Sequence, residues 1–259
     1  MKRILVRTAG LALAGLAVLP ATAASAQPAS RLGMIQDYEA TVFTGAHPAL
    51  GSYFWDKPSS YENGSRMAEP STTRLARFTS LASFRRASLR SGSWAMLDLE
   101  SWSAAVPSEA AHPAATMKAF NRLATARGIN VIEAPSLDLA ITDRECASPG
   151  GTGGSVKWYR RCHIAAAAAS HGAKIVVVQT QSQQPDRVAY AALYHAALAQ
   201  VGGRAAAYAA ISQTRDGGSV RDAVADVLAV RPAGLFVSCP RGGLGWEAAV
   251  LRQLQAAGY

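Results

Sequence analysis

Aromatic residues make up only 7% of this 259-residue chain and charged residues 17%, against 49% hydrophobic. A chain so balanced can bury a core, which excludes a disordered, collagen-like or small disulfide-framework protein. Lysine is scarce and the arginines are scattered, and Lys2, Arg3 and Arg7 carry part of the net charge of +9. No basic cluster interleaved with aromatics stands in the sequence, so nucleic acid is not an expected partner. Cofactor and nucleophile signatures are also missing. No Gly-x-Gly-x-x-Gly opens a helix after a strand, and the glycine-rich residues 150–155 lack the Gly-Lys-Ser/Thr of a phosphate loop. There is no Cys-x-x-Cys, no His-Glu-x-x-His and no Gly-x-Ser-x-Gly. No cofactor and no metal is therefore expected.

What the chain does have begins at its N-terminus. A basic stretch, an apolar run over 11–19 and the small residues Ala24-Ser25-Ala26 follow one another before Gln27. That order reads as a secretory signal peptide over 1–26. Pro20 cuts the run short of the roughly 20 apolar residues that a membrane span needs, and no later stretch is long enough. The expectation is an exported, soluble monomer over 27–259, forming one domain in a compartment where disulfides persist. Cys146 and Cys162 bracket a segment too glycine-rich to order itself, which predicts a disulfide between them. Cys239, on an apolar strand, is expected to be a buried free thiol.

From about Ala76 onward, short apolar runs alternate with helix-length amphipathic segments and Gly or Pro stops, the rhythm of βα repetition. Strands are expected at 76–80, 94–100, 130–134, 174–180, 206–212 and 234–239, with a seventh at 38–44 and an eighth hidden in 45–75 or absent. His112-Pro113 opens a helix that Gly128 ends, Ser219 caps another, and Trp246, Val250, Leu254 and Ala257 form the buried stripe of the last. Such a chain forms either a (β/α)8 barrel or an open parallel α/β sheet. Polar side chains gather at several strand C-termini, which favours the barrel, because barrel active sites lie on that rim.

The most informative rim segment is 94–102. Strand alternation puts Met96, Asp98 and Glu100 on one face and Ala95, Leu97 and Leu99 on the other. The apolar face belongs against helices, so the two carboxylates face the lumen, about 6–7 Å apart by strand rise. Each disfavours the other's ionisation, and this is how one acid stays protonated to donate while its partner stays charged. Gln179 and Gln181 share a face two strands on, where amides can bond sugar hydroxyls or an N-acetyl group. Ser212 and Ser238 end two later strands. Trp102, just past its strand, is the candidate platform for a sugar ring, with Tyr38 and Trp55 as further rings; Trp246 is a core residue. Glu133 depends on register, since a one-residue slip sends it to the other face.

Asp98-x-Glu100 at a strand end resembles the last half of the chitinase-type signature Asp-x-x-Asp-x-Asp-x-Glu; the earlier acids would fall at Ser93 and Met96. The wider pattern, with Trp102, then 129–135 and 178–181, resembles uncharacterised secreted bacterial glycoside-hydrolase-like barrel proteins. The resemblance implies Glu100 as the acid and Asp98 as its orienting partner. Two readings follow: a secreted hydrolase acting on a cell-wall or extracellular glycan, and a non-catalytic barrel that binds such a glycan.

Overall fold

The computed structural model describes residues 33–36, 60–63, 74–101, 105–146, 154–214, 218–238 and 243–259. The strands are β1 (Gly33–Gln36), β2 (Ser60–Asn63), β3 (Arg74–Phe78), β4 (Trp94–Leu97), β5 (Asn130–Glu133), β6 (Ile175–Val178), β7 (Ala206–Ser212) and β8 (Gly234–Ser238). Those from β3 to β8 pair in sequence order, all parallel, as a curled six-stranded sheet. Helices connect them: α1 (Leu81–Arg86), α2 (Pro107–Ala110), α3 (Pro113–Ala126), α4 (Gly154–Arg161), α5 (Ile164–Ala168), α6 (Arg187–Val201), α7 (Val220–Val230) and α8 (Leu244–Ala256). The chain is thus α/β with a parallel sheet. The backbone of β1 pairs with β8, that of β2 pairs with β3, and Gln36 meets Ser60 between them. The short strand β2 falls within 45–75. The strand expected at 38–44 lies outside the described residues, as do Trp102, Tyr38, Trp55 and Cys239.

Strand alternation divides the core in two. Ala95, Leu97, Leu99, Val131, Val176 and Ile211 face the helices, whereas Leu75, Met96, Ile132, Val177, Tyr208 and Phe236 fill the concave side. The helix signals act as read. Pro113 starts α3 behind His112, and Gly128 leaves it at φ +69°; the Ser219 side chain accepts from Asp222 N at the start of α7. Two expectations are corrected. Ala257 is the exposed C-cap of α8 and not part of its stripe, because the helix ends before another turn can bury it. The run to Thr180 stops as a strand at Val178, since Thr180 Oγ1 bonds both Ala210 O and Ala210 N and turns the chain into a 3-10 helix, Thr180–Gln183. The Cys146–Cys162 disulfide is present. No helix among the described residues is long and apolar enough to cross a membrane.

One glycine is set by close approach. A Cβ on Gly234 would lie 2.3–2.4 Å from ring carbons of Tyr208, itself fully buried on the concave side. Close-packed interiors do not yield to such an overlap. Gly234→Ala should therefore lower stability by about 1–3 kcal/mol, read as a lower urea midpoint with unchanged slope.

Candidate active site at the strand C-terminal rim

Arg77, Asp98, Glu100, Gln179, Gln181 and Ser238 line a cavity of about 120 Å³ floored by Met96, Val177 and Phe236. Arg77 and Ser238 sit in β3 and β8, and Asp98, Glu100 and Gln179 follow the ends of β4 and β6, all at the parity of the concave-side residues, whereas Gln181 reaches the cavity from the 3-10 helix after β6. Past the end of β4 the chain stays extended. Asp98 N donates to Phe78 O at 2.8 Å, Ser136 N to Leu99 O at 3.0 Å, and Ser101 N to Asp138 Oδ1 at 3.0 Å. These bonds carry Glu100 to the rim.

Asp98 is buried and doubly held. Arg77 donates Nε–H to its Oδ2 at 2.6 Å and reaches the same oxygen through Nη2, while Gln179 Nε2 donates to Oδ1 at 3.1 Å and to Ala134 O at 2.8 Å. Gln181 Nε2 donates in turn to Gln179 Oε1 at 3.3 Å, and Gln181 Oε1 has no partner among the described residues. Charge-assisted bonds of this kind hold Asp98 as the anion. Glu100 is different. Burial first, and then the negative charge of Asp98, push its carboxyl up to about 7; Asp138 adds to this, while Arg77 and the Gln179 amide pull the other way. One carboxyl is thus locked and ionised, and its neighbour keeps a proton near neutrality beside open space.

The structure brings Asp98, Glu100, Gln179, Gln181 and Ser238 to one cavity. It does not bring in Ser212, whose Oγ lies 3.0 Å from Thr214 Oγ1 and which is not part of the cavity wall. Trp246 is buried in the core. Sequence reasoning missed Arg77. Its signal was an arginine set between apolar residues of a strand, at the concave-side parity of Leu75. Asp138 was missed as well, because it acts through the chain it tethers.

Glu133 takes the helix-facing parity of Val131. It is fully buried, neither carboxyl oxygen has a hydrogen bond among the described residues, and burial holds its proton well above the ordinary range. A group with a raised folded pKa adds stability that is full below its unfolded value, near 4.3, and fades as pH rises through the folded one. Replacement by an apolar residue removes an unpaired buried polar group. Glu133→Leu should raise stability by about 1–3 kcal/mol, with a larger gain in melting temperature at pH 8 than at pH 5.

A comparison with family models finds no match, and one with curated proteins finds none similar to this chain.

Proposed function

We propose that this protein is a secreted glycoside hydrolase built on a complete (β/α)8 barrel, with Glu100 as its general acid. The barrel is the natural completion of the curled sheet, since the backbones of β1 and β2 pair with its two edges and with each other. The observation that carries the function is the unequal pair: Asp98 tied to Arg77 and Gln179, Glu100 beside it on an open cavity with its carboxyl pushed up to about 7.

In this mechanism the protonated Glu100 gives its proton to the glycosidic oxygen as the bond to the anomeric carbon breaks. Water then adds to that carbon and returns a proton to the Glu100 carboxylate, so acid and product are both restored. Asp98 stays charged throughout and stabilises the positive charge that develops on the sugar. Gln181 Oε1, without a partner among the described residues, accepts a sugar hydroxyl or an amide N–H. The export signal and the disulfide accord with a glycan outside the cell as substrate.

A second reading, a glycan-binding barrel without catalysis, is favoured by the Arg77–Asp98 ion pair, which lines the cavity with a charge-balanced couple. A glycan array followed by a reducing-end assay separates the two. Hydrolysis predicts new reducing ends from the glycans that bind, whereas binding alone predicts retention without them.

A further inference from the structure

Six arginines that are scattered along the chain, and Lys174 with them, meet at the end of the sheet opposite the cavity. Because the strands are parallel, every connection from a helix back to a strand lies at that end. Five described connections stand side by side there, joined by Gly92 N to Gly128 O at 2.8 Å, Thr125 Oγ1 to His171 O at 2.9 Å, and Ala206 N to Lys174 O at 2.9 Å. Each carries an exposed cation. The last turn of α1 and its connection to β4 carry Arg85, Arg86 and Arg90; the next connection has Arg127. Lys174, Arg204 and Arg231 precede β6, β7 and β8 in turn.

Acids are sorted the other way. Glu109, Asp222 and Glu247 stand in the first turns of helices and Asp186 at an N-cap, at the cavity end, where Glu109 accepts Leu81 N and Ala82 N. Asp98, Glu100 and Asp138 belong to the rim itself. None of the seven cations forms an ion pair among the described residues. Arg127 and Arg204 also donate to the last carbonyls of α1 and α6. Helix ends attract such charges, which accounts for Arg85, Arg86, Arg127, Arg204 and Arg231 at the ends of α1, α3, α6 and α7; Arg90 and Lys174 stand away from any helix end.

We infer that this end of the molecule docks on the anionic headgroups of a lipid bilayer, leaving the cavity turned away from the surface. The cations spread over an arc of five loops, which matches a plane of charge better than the track of a linear polyanion. Leu198 in the last turn of α6 is exposed at the same end, but the more exposed Ile141 and Val188 stand at the cavity end, so charge rather than apolar contact is what this surface offers a bilayer. Among the residues whose burial is described, no Phe, Tyr or Trp is exposed to offer the stacking platform that single-stranded nucleic acid uses.

The test is sedimentation of the purified chain with vesicles of phosphatidylcholine, with and without phosphatidylglycerol. Binding should require phosphatidylglycerol and be released by salt. Each cation near such a surface contributes roughly fivefold, so Arg85→Gln/Arg86→Gln/Arg90→Gln should weaken binding on the order of 100-fold. Lys174→Gln/Arg231→Gln, on other loops, should weaken it by about 25-fold, and unchanged melting temperatures exclude misfolding in either variant. Glu100→Gln should bind as the wild type, so the result stands apart from the hydrolase reading. Equal binding to phosphatidylcholine alone, wild-type binding by both variants, or tighter binding to single-stranded DNA than to the vesicles would overturn the proposal.

Discussion

Glu100→Gln is expected to lower glycoside hydrolysis by roughly 10²–10⁴-fold, the loss typical of a removed general acid, while the fold stays intact. The substitution keeps the shape and removes only the proton. Asp98→Asn is a less discriminating probe, since it also strips a buried ion pair from Arg77, and such a change lowers stability in its own right. The pH dependence gives a second readout. The acid must be protonated to donate, and its carboxyl sits at about 7, so wild-type activity should be present below that value and fall as pH rises through it. Stability follows the same sense. The folded pKa is raised above the ordinary 4.5, so Glu100 contributes fully below 4.5 and its contribution disappears between 4.5 and about 7. Melting temperatures across that window should slope less steeply in the Gln variant. A ¹³C carboxyl titration of Glu100 checks the same property without any substrate. An ordinary acidic midpoint there would remove the reason for assigning Glu100 as the acid.

What the sequence made legible in this site is what local periodicity controls. Alternation along 94–100 put Asp98 and Glu100 on one face, because the chain keeps that parity past the end of β4; Gln181 reaches the cavity from the 3-10 helix after β6, which alternation does not describe. Arg77 was not legible as a partner of Asp98. That pairing joins neighbouring strands in a register, Arg77 against Met96, which no single segment encodes. Thr180 was lost to the same limit: its hydroxyl replaces ladder bonds with Ala210 of the next strand, so an apolar run ends earlier than its composition suggests. The basic end of the molecule is the clearest case. Its cations are dispersed in sequence and look like scattered surface charge, yet parallel topology returns every helix-to-strand connection to the same end.

Loss of the Cys146–Cys162 bond should lower stability by about 3 kcal/mol, the chain-entropy value for a loop of this size. The two cysteines are 16 residues apart, and the glycines between them leave the open chain unusually free, so closure removes more unfolded conformations than it would in a stiffer segment. In a chain this long each kcal/mol moves the melting temperature by roughly 2–4 °C, so Cys146→Ser/Cys162→Ser should melt about 10 °C lower. Reduction should shift the wild type by the same amount and leave the double variant unmoved. Non-covalent contacts limit the structural damage. Trp158 Nε1 donates to Asp143 Oδ2 at 2.8 Å, Glu145 N and Cys146 N donate to Asp143 Oδ1, and Arg161 holds Cys146 O at 2.7 Å. Both ends of the loop therefore stay pinned to α4 when the sulfurs part. The 3-10 turn before the loop carries Asp138, which accepts from Ser101 N beside Glu100. If Asp143 and Trp158 keep that turn in place, the variant should retain the raised Glu100 midpoint at 25 °C while it unfolds earlier. A Glu100 titration that collapsed along with the disulfide would instead mean that the covalent bond, and not the Asp143 cluster, holds the rim.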